Sequence, residues 1–251
     1  MPKRVHAVVL AGHGSLRNDS GEAMFQVAAQ LRKQGVASVV EAGFLNYSSP
    51  TLAEAIAKCV AQGANDIIIQ PYFLIAGVYV MNDLPGVVKA IIAQHRGVHF
   101  HIAEALGEHP ALVKLAHKRV QTVDPVPDPT AGLLFVAHGT PLEKANTPIS
   151  RILARVQARA GYAQTAIGYL DCNEPDIPTA IAQLVNTGVQ RIVALPYFLH
   201  LGRHVCADLP KIFEQAQQNY PQAEIRVAAE LGYDPLLTEV AAERIMATMM
   251  C

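Results

Sequence analysis

The chain has 251 residues, 51% of them apolar and 16% charged, with a formal net charge of −1. That composition supports a packed core and argues against a disordered chain, and the near-neutral charge supplies no basic field for nucleic acid or an anionic membrane surface. The four cysteines, Cys59, Cys172, Cys206 and Cys251, are widely spaced with no CxxC pair, which argues against a disulfide framework or a closed zinc site and fits a reducing compartment. The opening MPKRVHAVVLAGHG holds an apolar run too short for a signal-peptide core, and the longest apolar stretch, 72–81, is half of the roughly 20 residues that cross a bilayer. The expectation is a cytoplasmic protein with no nucleic-acid or membrane partner.

In chain order, Val5–Leu10 reads as a short β-branched strand that stops at Gly12-His13-Gly14. A helix follows over about Ser20–Lys33, ending near Gly35, and Val36–Leu45 is the second strand. Ser49-Pro50 reads as an N-cap with proline at the first helical position, opening a helix that runs to Gly63. Asp66–Leu74 is the third strand, a helix begins near Asn82, Val98–Ala103 is the fourth strand, and a last helix begins at about Pro110. Continuous apolar strands alternating with amphipathic helices imply a buried parallel sheet. Right-handed crossovers then put every strand-to-helix loop on one edge, the carboxyl edge, where ligands bind in such folds.

The pattern then repeats. At a constant offset of 125 residues His13-Gly14-Ser15 returns as His138-Gly139-Thr140, Pro71-Tyr72-Phe73-Leu74 as Pro196-Tyr197-Phe198-Leu199, and Asp83-Leu84-Pro85 as Asp208-Leu209-Pro210. Ala55-Ile56-Ala57, Gly63, Gly77 and Leu106-Gly107 also recur without a gap. The fold expected is α/β, two tandem homologous doubly wound parallel-sheet halves. Their boundaries are set at 1–122 and 132–251, with the Pro- and Asp-rich segment 123–131 as linker.

In the second copy His138 ends the first strand, Asp171 ends the second, and His204 lies just past the third. Two imidazoles and a carboxylate on one edge are a ligand set for a first-row divalent metal, with coordination positions left open for a substrate. The matched positions in the first copy are His13, Asn46 and Tyr79. An amide brings no charge, and phenols are protonated at neutral pH. The first copy is therefore read as a degenerate site and the second as the metal site. A lone histidine at a strand end is often an ordinary surface residue, and His-Gly after a strand can be no more than a tight turn. The argument rests on three residues reaching corresponding edges together. His200, which matches Ile75, is read as supporting or structural, and Cys172 and Cys206 as small buried side chains.

Nucleotide-binding loops of the GxGxxG and GxxxxGK[ST] types are absent, as is a GxSxG elbow. Histidine phosphatases place arginine before His-Gly; Gly12 and Ala137 stand there instead.

The strand ending in His-Gly-[Ser/Thr], the Tyr169-Leu170-Asp171 run, and the Pro-Tyr-Phe-Leu…Gly-x-His-Val-x-x-Asp-Leu-Pro segment of 196–210 resemble the class II tetrapyrrole chelatases, most closely the sirohydrochlorin chelatases in their long two-half form. The resemblance covers nearly the whole chain. Its most specific part is the Asp208-Leu209-Pro210 helix start with the loop before it.

The resemblance implies an ATP-independent lyase that inserts Co2+ or Fe2+ into sirohydrochlorin in cobalamin or sirohaem biosynthesis. It implies a tetrapyrrole cleft between the halves and a metal held by His138, Asp171 and His204. Aspartate stands where the family usually has glutamate, one methylene shorter in reach. The metal is substrate, and neither nucleotide nor iron–sulfur cluster is implied. His13, Asn46, Tyr79, Gly139, Thr140, His200 and Arg203 become candidates for substrate contact, and Arg17, Lys144 and Arg203 for meeting substrate carboxylates. An imidazole is suited to accept a pyrrole proton near neutrality, which favours His138 as base. The chain is expected to act as a monomer or weak homo-oligomer. The rival readings are a non-catalytic tetrapyrrole or metal carrier, and a protohaem-type ferrochelatase.

Overall fold

A computed structural model describes residues 6–15, 21–126, 129–200 and 202–250, and at 203–205 it describes the backbone alone. The chain forms two four-stranded, all-parallel sheets. The first contains β1 (His6–Gly12), β2 (Val39–Phe44), β3 (Asp66–Pro71) and β4 (His99–Ile102) in the order β2-β1-β3-β4. The second contains β5 (Ala131–Ala137), β6 (Gln164–Tyr169), β7 (Arg191–Pro196) and β8 (Glu224–Val227) in the order β6-β5-β7-β8. The central strands β3 and β5 are buried at every residue, as strands covered on both faces must be. β4 and β8 are edges with no fully buried residue.

Helices cover the sheets through apolar stripes at i, i+3, i+4, i+7. α1 (Glu22–Lys33) buries Met24, Val27, Ala28 and Leu31, and its counterpart α5 (Thr147–Ala160) buries Ile149, Ile152, Leu153 and Val156. α2 (Leu52–Ala61) buries Leu52, Ala55, Ile56 and Cys59, matched in α6 (Ile177–Asn186) by Ile177, Ala180, Ile181 and Leu184. α3 (Leu84–Ile92) follows a π turn over Tyr79–Asp83, whereas α7 (Arg203–Asn219) is one continuous helix.

Two local expectations change. The cap of α2 is Thr51, not Ser49: Thr51 and Glu54 form a reciprocal capping box, and Ser49-Pro50 is a cis peptide ahead of it. Asp208-Leu209-Pro210 does not start a helix. α7 begins at Arg203, so Pro210 is interior and His204 stands in the first helical turn instead of in a loop.

The compact units differ from the sequence halves. One unit is 1–107 with 233–251, and the other is 108–232. α4 (Pro110–Val123), the last helix of the first repeat, packs on α5 and β7. α8 (Pro235–Met249), the last helix of the second repeat, packs on α1 and β3. Matched arginines secure the exchange. Arg119 of α4 donates to the carbonyls of Glu230 and Leu231, and Arg244 of α8 donates to the carbonyl of Leu106 at 3.1 Å and to the Glu104 carboxylate at 2.9 Å. The segment 123–131, read as an inter-domain linker, lies inside the second unit, and its Asp124 is 2% exposed. Expectations that fall on Arg17 lie outside the described residues.

Candidate metal and substrate site

The carboxyl edge of each sheet is built by one repeated arrangement. Past the last β5–β6 rung, the amide of Leu170 donates to the carbonyl of Ala137 at 2.8 Å and that of Asp171 to the carbonyl of His138 at 3.0 Å. In the first unit Leu45 donates to Gly12 and Asn46 to His13, each at 2.9 Å. The ladder thus runs beyond the strands and delivers the two matched pairs, His138 with Asp171 and His13 with Asn46, side by side at the edge.

The glycine after each histidine is required by the backbone. Gly139 has φ +88°, and a Cβ there would lie 2.2 Å from the carbonyl oxygen of Asp171. Gly14 has φ +87°, with 1.8 Å to the carbonyl oxygen of Asn46. Both the left-handed conformation and the close approach exclude a side chain.

A residue that sequence reading missed pins each turn. Asn173 Oδ1 accepts the amide of Thr140 at 2.7 Å and the Asn146 side-chain amide at 3.0 Å. In the first unit Ser48 holds the matched position. Its Oγ accepts the Ser15 amide and donates to the Ser15 carbonyl, both at 2.9 Å. The available signal was a polar residue two positions after the strand-end acid or amide in both copies.

His138 and Asp171 are both exposed. Asp171 Oδ1 accepts the amide of Cys172 at 2.7 Å, which fixes the carboxylate against its own turn. Cys172 is exposed with φ +63°, contrary to the expected buried role. Its thiol is held above the ordinary range by partial desolvation, then by the charge and hydrogen bond of Asp171. Thr140 is buried at 5% exposure; its amide donates to Asn173, its carbonyl accepts from Asn146, and its hydroxyl accepts the amide of Leu142 at 3.4 Å, so it shapes the turn. His200 is half-buried after β7, and Cys206 is half-buried in α7.

The side chains of Arg203 and His204 lie outside the described residues; their backbone forms the amino-terminal turn of α7, directly after β7. Among the described residues no three His, Cys, Asp or Glu side chains converge on one point. The described part of the expected triad is therefore His138 and Asp171. A shallow depression of about 400 Å³ is lined by Lys144, Asn146, Tyr169 and Asn173 among others.

The matched edge of the first unit is aromatic. The rings of His13 and Tyr79 are 4.2 Å apart at 60°, those of His13 and Tyr47 5.9 Å apart at 54°, and those of Tyr79 and Phe73 6.4 Å apart and stacked. His13 Nδ1 lies 2.8 Å from the Gly14 carbonyl, while its Nε2 is buried with no hydrogen-bond partner among the described residues. Asn46 is exposed, beside a depression of about 460 Å³ lined also by Asn82 and Asp83.

The architecture defines a class, the two-half α/β chelatase-type fold. SirB from Bacillus subtilis, in a structure with Fe3+, superposes with a TM-score of 0.84 at 19% identity, over 97% of this chain and 95% of that one. The structure of CbiX, the terminal enzyme for biosynthesis of siroheme in denitrifying bacteria, gives a TM-score of 0.69 at 23% identity over 96% and 98%. In sequence, the sirohydrochlorin cobaltochelatase of Priestia megaterium is 22% identical over 95% of this chain and 78% of that protein. The sirohydrochlorin ferrochelatase of the same organism is 20% identical over 95% and 89%. The CbiX family model matches twice, at residues 7–123 and 132–248. The chain belongs to the CbiX family.

Proposed function

We propose that this chain is a sirohydrochlorin chelatase that inserts Co2+ or Fe2+ into the metal-free macrocycle without ATP. The observation that carries the reading is the double family match, one per repeat, together with a His-acid-His set that only the second repeat retains. His138, Asp171 and His204 hold the incoming ion, two neutral imidazoles and one carboxylate leaving positions open for pyrrole nitrogens. Two pyrrole N–H protons leave as the ion enters, so M2+ and the free macrocycle yield the metallated macrocycle and two protons. His138 takes one of them. The ion and the tetrapyrrole are substrates, and no nucleotide enters the balance. Action as a monomer or weak homo-oligomer in the cytoplasm belongs to the same reading.

The test is anaerobic absorbance spectroscopy of metal-free sirohydrochlorin mixed with Co2+ or Fe2+. The protein should accelerate the spectral change with at least one ion in the absence of ATP. Rates equal to the protein-free control with both would overturn the reading.

A further inference from the structure

We infer that the carboxyl edge of the first unit is an aromatic platform for the face of the flat macrocycle, and that Tyr47 is its outermost positioning residue. The inference rests on the chelatase reading and adds a residue to it.

Tyr47 combines two unfavourable features. It is 70% exposed, which leaves a large ring in water, and it has φ +58°, a left-handed backbone that is unfavourable for a bulky residue. Sites that keep such a conformation with a bulky side chain are enriched in function. Glycine or asparagine would relieve the backbone and remove the exposed ring together, and neither is present. The counterpart in the second repeat, Cys172, shares the conformation at φ +63° but carries no ring.

The surroundings give the ring a purpose. Tyr47, His13, Tyr79 and Phe73 form a continuous run of rings with centroid separations of 5.9, 4.2 and 6.4 Å. Tyr79 is 45% exposed, so the outer part of the run is open. The second repeat has Cys172, His138, His204 and Phe198 at these positions, with Phe198 only 8% exposed. The tyrosines thus belong to the repeat that lacks the ligand set. His13 Nε2 is buried with no hydrogen-bond partner among the described residues, and the two rings packed on it, Tyr47 and Tyr79, are phenols and not charged ligands. The rings meeting at His13 are tilted by 54° and 60°, so the run offers a flat conjugated ligand ring edges as well as faces, through edge-to-face, offset and apolar contact. The depression lined by Leu45, Asn46 and Val87 includes the two residues that precede Tyr47 in the chain.

The experiment titrates metal-free sirohydrochlorin into the full-length chain without metal, followed by absorbance and fluorescence. Tyr47→Gly and Tyr47→Asn both accept the left-handed backbone. Each should weaken macrocycle binding on the order of tenfold while the melting temperature holds or rises. Tyr47→Phe should bind within about twofold of wild type, since the ring is kept. In turnover assays the glycine variant should raise KM for the macrocycle and leave kcat largely intact. Wild-type binding that persists unchanged in both Tyr47→Gly and Tyr47→Asn would overturn the platform while leaving the chelatase reading in place. Weakened binding accompanied by a lower melting temperature in both would assign Tyr47 to the fold and also overturn it. A wild-type chain that binds no macrocycle would overturn both proposals.

Discussion

The amide of Asp171 donates to the carbonyl of His138 at 3.0 Å, one rung beyond the last residue of β5. That bond ties the two described members of the proposed ligand set to one backbone frame. Anything that moves the turn after His138 moves Asp171 with it, and the site should be as sensitive to its turn as to its ligands.

Gly139→Ala tests the frame. With φ +88° and a 2.2 Å approach to the Asp171 carbonyl, the added methyl forces the His138 and Asp171 segments apart. Metal insertion should fall by at least a hundredfold, because a misplacement of about 1 Å at a reacting centre costs about that much. Stopped-flow absorbance at matched protein folding, checked by circular dichroism, would read it.

Removing the proposed ligands should act on the metal directly. Asp171→Ala and His138→Ala are each expected to weaken Co2+ binding by at least one to two orders of magnitude, the cost of losing a group that merely supports a ligand, and to slow insertion with it. Calorimetric titration of Co2+ into wild type should give one tight site per chain, abolished with His204→Ala and retained with His13→Ala. Two tight sites, or loss of the site with His13→Ala, would move the assignment to the first repeat.

Asn173→Ala should destabilise the second unit by about 1–3 kcal/mol, since it leaves the Thr140 amide and the Asn146 side chain without their shared acceptor. Urea unfolding gives the number. Asn173→Ser, which copies Ser48 of the first unit, should recover part of it.

Stability should fall at alkaline pH. Burial holds the phenols of Tyr72, Tyr162 and Tyr197 well above their ordinary range, with Tyr162 raised further by its hydrogen bond to Asp124, and burial pushes the Cys59 thiol to about 12. The folded chain keeps these protons where the unfolded chain has released them. The contribution is therefore complete below the unfolded values, about 8.5 for cysteine and about 10 for tyrosine, and is lost as pH rises above them. Melting temperatures measured from pH 8 to 11 should decline, and Tyr162→Phe should flatten the upper part of the curve.

The helix exchange makes a prediction about fragments. Residues 108–232 form one compact unit and should fold cooperatively when expressed alone. Residues 132–251 should not, because α5 and β7 would lose α4, whose Leu112, Leu115 and Ala116 are fully buried. Thermal unfolding of both fragments by circular dichroism separates the cases.

Much of this was legible in the chain itself. Strands were readable because β1, β3, β5 and β7 are covered on both faces and so are nearly unbroken apolar runs. The stripes of α1, α2, α5 and α6 were readable because a helix buries one face at a fixed period. The candidate ligands followed from strand order alone, since parallel crossovers send His138, Asp171 and the start of α7 to one edge. Local hydrogen bonding was harder. Thr51 outcompetes Ser49 as a cap because Glu54 stands three residues on and returns a bond to its amide. Pro210 was taken as a helix start because proline favours first turns, yet α7 carries it inside.

Three things were decided by tertiary structure. The first is the reciprocal exchange of α4 and α8, which the repeat pattern does not reveal because matched arginines meet matched carbonyls, Arg119 that of Leu231 and Arg244 that of Leu106. The amino-terminal edges diverge although the repeat aligns them. In the first unit the buried Asp66 faces His6 at 3.6 Å and His101 at 3.2 Å. In the second, Arg191 and Arg226 match Asp66 and His101, and they close on Asp124, the C-cap residue of α4. The third is the ring run of Tyr47, His13, Tyr79 and Phe73. Its members are scattered over 67 positions and share no motif, and they meet because three parallel strands end on one edge. Sequence fixes which residues can do chemistry, through period and strand order; which of them touch is set by packing that symmetry and spacing leave open.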